Sequence, residues 1–288
     1  MTDTGSEKII FGVSQFTTHP WSFERDVETY ARLGVQAIEV CEIKLDPDKI
    51  EEQMRLPAMH GLQITSVQPK TRTLFPSRSQ PEPQEIGPRM ACFRETITRL
   101  APFTHGVAYV TNTGIPPDGN IQAALDTAVW EYRDLADFAA FHGVKIALEP
   151  LNAAIMNIES AIWTLPQAMQ IVEAVDRDSF GICLDCWNVW QNAGLSDAIR
   201  ACGDRIFVVQ VSDWRTPRSF EDRLVPGQGE IPLSDFLRAV RETGYTGAYS
   251  VEIFSQGVPD ALWEGDLERV VRDSQAGVMN AWQTALSG

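Results

Sequence analysis

The sequence predicts an α/β protein of one domain, a (β/α)8 TIM barrel spanning residues 1–288. Three observations predict it. Short apolar segments, rich in β-branched and aromatic residues and bounded by Gly, Asp, Pro or Asn, recur eight times. Longer amphipathic stretches separate them, several closing on a glycine. The 288 residues carry no compositional break that would mark a second domain, and eight strand–helix units suit a barrel of this length. A doubly wound open sheet is the competing architecture, but no Gly-x-Gly-x-x-Gly follows the first apolar segment.

In chain order the strand candidates are "IIFGVS" (9–14), "AIEVC" (37–41), "QITSVQ" (63–68), "GVAYVTN" (106–112), "KIALE" (145–149), "FGICLD" (180–185), "IFVVQVS" (206–212) and "AYSVEIF" (248–254). Between them, "SFERDVETYARLG" (22–34), "IQAALDTAVWEYRDLADFAAFHG" (121–143) and "LSDFLRAVRETG" (233–244) place apolar residues three and four apart and end in Gly. The stretch "FPSRSQPEPQEIGPR" (75–89) is too rich in proline for either element. It reads as a long strand-to-helix loop, either a flap over the barrel mouth or an insertion without a role.

Hydrophobic residues make up 44% of the chain and charged residues 22%, as in a folded globular protein. No apolar run reaches the roughly 20 residues of a membrane helix, and "MTDTGSEKII" lacks a secretory leader pattern. A cytoplasmic protein without membrane partners is expected. The net charge of −15 argues against a nucleic-acid partner. Five scattered cysteines (Cys41, Cys92, Cys183, Cys186 and Cys202) read as free thiols. Only four histidines exist, so a multi-zinc site built on imidazole is hard to assemble.

Barrel enzymes carry their chemistry at the C-terminal strand ends. The last four strand candidates end in or near Glu149, Asp185, Gln210 and Glu252. Side chains alternate along a strand, so these four share faces with Ala147, Cys183, Val208 and Ser250. The opposite faces carry large apolar residues suited to the layer beneath the helices. Four oxygen-bearing side chains would then converge on the barrel axis. Clustered buried carboxylates are costly unless compensated. One divalent ion would compensate them, Mg²⁺ or Mn²⁺ first and Co²⁺ or Zn²⁺ less selectively. The competing reading is separate pairing of each carboxylate with its own Arg or Lys. Cys183 and Cys186 stand three apart, so on a strand they would face opposite sides, a poor geometry for a thiolate chelate or redox pair.

"IALEPLN" (146–152), "GICLDCWNVW" (181–190), "VVQVSDWR" (208–215), "DRLVPGQGEI" (222–231) and "YSVEIFS" (249–255), together with "WSFERDVETYARLGVQAIEV" (21–40), resemble the sugar phosphate isomerase/epimerase family of the xylose isomerase-like TIM barrel superfamily. The resemblance implies one divalent metal held by Glu149, Asp185, Gln210 and Glu252, with Glu149 and Glu252 as acid/base groups and Arg223 on substrate oxygens. It is departed from where Gln210 and Asn188 replace histidines and where Ile155 stands near the place of a substrate-binding carboxylate. The Gln ligand resembles that of some dehydratases in the superfamily.

The implied activity is isomerisation or epimerisation of a small sugar or cyclitol by proton abstraction α to a carbonyl through an enediolate. Elimination by a lyase or dehydratase acting on a keto-sugar, keto-cyclitol or dehydroshikimate-like ring shares that step and stays open, as does a non-catalytic carbohydrate binder. A DNA-repair endonuclease fits poorly with the charge. Arg223 would contact substrate or pair with Asp222 or Glu221. Asn188 would contact substrate or cap a turn. His19 is placed at the mouth, and Trp187, Trp190 and Trp214 either stack on a sugar or pack on helices. His142 is expected to serve a helix end, and "PGQGE" (226–230) to form a tight loop shaping the site rather than a phosphate loop. Oligomeric state is left open.

Overall fold

The computed structural model describes residues 8–216 and 222–287. Most of the N-terminal stretch from which the absence of a leader was read lies outside these residues. Eight parallel strands close into a barrel in sequential order. They are β1 (Ile10–Ser14), β2 (Ala37–Cys41), β3 (Gln63–Gln68), β4 (Ala108–Thr111), β5 (Lys145–Leu148), β6 (Phe180–Asp185), β7 (Ile206–Val211) and β8 (Ala248–Val251). Pairing of β1 with β8, Ile10 opposite Ala248 and Val13 opposite Val251, closes the ring.

The helices are α1 (Phe23–Arg32), α2 (Ile50–Met59), α3 (Ile86–Leu100), α4 (Ile121–Phe141), α5 (Leu165–Val175), a single turn α6 (Cys186–Val189), α7 (Leu195–Cys202), α8 (Leu233–Glu242) and α9 (Leu267–Ser287). Their starts follow the local chemistry. The Ser22 hydroxyl caps α1 by accepting from the Arg25 amide, and Thr164 with Gln167 forms a capping box on α5. Among the described residues no helix is long and apolar enough to cross a membrane.

Strand alternation sorts the core into two layers. Ala108, Val110, Ala147, Cys183 and Val208 fill the barrel interior. Ile146, Leu148, Ile182, Leu184, Val209 and Val251 face outward into the layer covered by helices. Small residues inside leave the C-terminal mouth open to polar side chains, while large ones hold the helices to the barrel.

The Pro-rich stretch forms part of the cavity wall through Arg78 and Ser79. Its last residues enter α3, where Pro88 stands in the first turn and no hydrogen bond is lost. The rest is tied at both flanks. Leu74 and Phe75 amides donate to Asn112 and Thr113 carbonyls at 3.0 and 2.8 Å. The Arg78 amide donates to the Ile158 carbonyl at 3.0 Å, and the Ser79 hydroxyl to Glu159 at 2.6 Å. Gly114, at φ +71°, lies where a Cβ would meet the Phe75 carbonyl oxygen at 2.0 Å. The fully buried Arg89 anchors the wall from beneath. It donates to the Thr73 carbonyl at 2.8 Å and the Pro83 carbonyl at 2.6 Å, and also to the Thr73 hydroxyl. Arg89→Met is expected to cost about 1–3 kcal/mol, because it strands buried acceptors. Chemical unfolding should register that loss, and loosening of the wall should raise KM more than it lowers kcat.

Candidate active site

The C-terminal ends of β5 to β8 bring the expected side chains together. Glu149 and Glu252 stand one residue beyond β5 and β8, Asp185 ends β6, and Gln210 lies opposite Asp185 in the β6–β7 register. All four are buried. Glu149, Asp185 and Glu252 each present an oxygen within 4.8 Å of the others.

One cation is shared among these acids. The Arg223 guanidinium lies 2.9 Å from Asp185 Oδ2 in an ion pair and donates to Glu252 Oε2 at 3.0 Å, and it stacks over Trp187 and Phe254 with its carbon 4.7 and 5.0 Å from the ring centres. The sequence alternative of an Arg223–Asp222 pair gives way to this bridge, while Ser255 donates to Asp222 at 2.8 Å. Glu221 lies outside the described residues. Each acid is therefore not matched by its own base. Burial, then the Asp185 charge, pushes the Glu149 carboxyl up to about 7. Burial also raises Asp185 and, more strongly, Glu252, against the opposing pull of Arg223. Burial works against the Arg223 cation, but Asp185, Glu252 and Glu149 outweigh it and hold it protonated.

Two asparagines orient the acids. Asn188 Nδ2 donates to Glu149 Oε1 at 2.8 Å and Asp185 Oδ2 at 2.9 Å, while its carbonyl accepts from the Asn152 amide at 2.9 Å. Asn112, just past β4, donates to Glu149 Oε2 at 3.1 Å. Gln210 differs from the expectation of a carbonyl aimed at an ion. Its Nε2 donates to Glu39 at 2.9 and 3.1 Å and to Glu252 Oε1 at 3.0 Å. Its carbonyl oxygen accepts from the Cys183 thiol at 3.3 Å. The amide takes this orientation because only the NH2 end can face two carboxylates.

Glu39, Asn112 and Glu159 were not singled out by sequence reading. Glu39 is fully buried in β2 and accepts from the Ser66 hydroxyl at 2.6 Å. An acid between Ile38 and Val40 in an apolar strand is the signal that could have found it. Glu159 enters from the loop before α5, the segment that carries Ile155, and both line the cavity.

The cavity above the acids measures about 340 Å³. Glu149, Glu252, Asn188, Trp187 and Arg223 form its floor side, and His19, stacked on Trp263 with ring centres 4.8 Å apart, stands at the rim. Trp190 and Trp214 pack together and against the core instead, ring centres 6.3 Å apart. The "PGQGE" loop is clamped to the Asp213 carboxylate through the Gly227 and Ile231 amides at 2.8 and 3.0 Å. His142 caps the end of α4 against Phe138. Cys183 points into the barrel and Cys186 starts α6, donating to the Ser212 carbonyl at 3.3 Å. Burial pushes both thiols well up, so neither behaves as a metal or redox thiolate.

A family model described as a xylose isomerase-like TIM barrel matches residues 27–276. The chain belongs to the xylose isomerase-like TIM barrel family. Inosose isomerase of Halalkalibacterium halodurans is 29% identical to this chain over 239 residues, 80% of this chain and 82% of that protein. The 3-dehydroshikimate dehydratase of Pseudomonas putida is 33% identical over 139 residues, 44% of this chain and 20% of that protein. A crystal structure of IOLI protein with a binding zinc atom has a TM-score of 0.79 at 21% identity, covering 97% of this chain and 100% of that one. At that identity the likeness is one of fold.

The residues of this family member fit a divalent ion. Three hard oxygen donors lie close together, buried, with one shared guanidinium as counter-charge. That leaves the cluster short of positive charge, and carboxylate oxygens are the donors that hard divalent ions take.

Proposed function

We propose that the protein is a divalent-metal-dependent isomerase or epimerase of a small keto-sugar or keto-cyclitol. The observation that carries the proposal is the clustering of Glu149, Asp185 and Glu252, two of which, Glu149 and Glu252, line a cavity of sugar-accommodating size. The three carboxylates would hold the ion. Gln210 becomes a fourth donor only if its amide turns over; as it lies, it fixes Glu252.

A divalent ion held there would polarise a substrate carbonyl and make the adjacent C–H more acidic. Burial raises the Glu149 carboxyl to about 7 in the ion-free site, and a bound cation would draw it down, so that Glu149 meets the substrate as a carboxylate able to take that proton. Glu252 gives a proton to the neighbouring position or to the opposite face of the same carbon. Asn188 and Asn112 keep Glu149 aimed at the cavity. Arg223, between Trp187 and Phe254, hydrogen-bonds substrate hydroxyls. The inosose isomerase relative supports this reading across most of the chain.

Elimination is the second reading, favoured by the 33% identity to a dehydratase over 139 residues. Solvent-exchange NMR in D2O with candidate ketoses and ketocyclitols separates the two. Deuterium entering the α position without loss of water supports the isomerase, water loss supports the lyase, and neither change across the panel overturns both.

A further inference from the structure

We propose that the substrate carries a carboxylate and that Arg72 binds it. The inference rests on the reading of the cavity as a catalytic site and deepens it by naming a charged group on the substrate.

Three arginines line the cavity: Arg72, Arg78 and Arg223. Arg223 is bridged to Asp185 and Glu252. Arg78 lies 3.4 Å from Glu159, itself held by Ser79. The Arg72 guanidinium forms no ion pair among the described residues, although its charge is one of those that draw the Glu149 carboxyl down; it lies over the face of Phe16, its carbon 5.5 Å from the ring centre. Its backbone is nonetheless fixed. The amide donates to Gln80 Oε1 at 3.0 Å. The carbonyl accepts from the Asn112 amide at 3.0 Å and the Thr111 hydroxyl at 2.8 Å.

The chain thus fixes the backbone of a cationic residue on the cavity wall and leaves its guanidinium without an ion-pair partner among the described residues. It also does so in a protein of net charge −15, which repels small anions unless a local cation captures them. A neutral polyol needs no such group, since the Gln68 amide lines the same space and can hydrogen-bond hydroxyls without a charge. A planar guanidinium matches a carboxylate through two parallel N–H bonds. Phosphate fits less well, because among the described residues lining the cavity there is no glycine whose amide could join Arg72 in a cradle.

The test is calorimetric titration of the ion-loaded protein with two acid and ester pairs, shikimate against methyl shikimate and D-gluconate against its methyl ester, with myo-inositol and inorganic phosphate alongside. At least one acid should bind more tightly than its ester by on the order of 10- to 100-fold. Arg72→Gln should erase that preference while leaving myo-inositol binding, ion content and melting temperature unchanged. Arg72→Lys should restore part of it. In turnover with a carboxylate-bearing substrate, Arg72→Gln should raise KM more than it lowers kcat. Equal binding of acids and esters, no binding of either acid, a preference that survives Arg72→Gln, or phosphate binding as tightly as the better acid would each overturn the proposal. Loss of ion binding in the unaltered protein would instead count against the catalytic reading, so the two failures are distinguishable.

Discussion

Glu149→Gln is expected to lower turnover by about 10²- to 10⁴-fold, the usual contribution of a positioned acid/base group, while the barrel stays folded. The amide keeps the size of the side chain and can still meet Asn188 or Asn112. It removes the charge that repels Asp185. The ion-free variant should therefore be at least as resistant to heat as the unaltered protein. The pH dependence gives a second check. The folded protein holds a proton on Glu149 up to about 7, whereas the unfolded chain releases it near 4.5. The stability from that proton is present below about 4.5 and lost as pH rises through 7. Asp26, raised to about 6 mainly by burial, acts in the same direction. Ion-free melting temperatures measured from pH 4.5 to 8 should fall less steeply in Glu149→Gln. A variant that keeps full activity would remove Glu149 from the chemistry.

Arg223→Gln should destabilise the ion-free protein by about 3–5 kcal/mol, as happens when one partner of a buried ion pair is removed. Arg223 is the shared counter-charge of Asp185 and Glu252 and sits 5% exposed between two rings. Without it, three buried carboxylates face one another. A divalent ion should then rescue the variant, since a ligand at 100 times its Kd adds about 2.7 kcal/mol to the folded state. Denaturation with and without Mn²⁺ should give a larger ion-induced gain in Arg223→Gln than in the unaltered protein. Equal gains would mean that the ion and the guanidinium do not answer the same charge.

The barrel was legible because strand alternation is local. Ala147, Cys183 and Val208 were assigned inward by counting, and they fill the interior. The same count brought Glu149, Asp185, Gln210 and Glu252 to one end. What escaped was set by contacts distant in sequence. Glu39 joins Gln210 across 171 residues, and no pattern near either one announces it. The orientation of the Gln210 amide follows from the carboxylates it meets, not from its position in β7. Asn188, expected to contact substrate or cap a turn, lines the cavity and also bridges Glu149 and Asp185, a contact its place in the sequence does not announce. Composition made "FPSRSQPEPQEIGPR" look loose, yet Arg89 and the Thr73–Phe75 pairing fix it, through bonds to carbonyls that leave no trace in residue type.

The central claim is that Glu149, Asp185 and Glu252 together bind one divalent ion. Equilibrium dialysis against Mn²⁺ or Zn²⁺, followed by elemental analysis of the unaltered protein and of Asp185→Asn, tests it most directly. One ion per chain is expected in the first, and its loss or marked weakening in the second. No bound ion in the unaltered protein at millimolar metal, or a full complement retained by Asp185→Asn, would contradict it.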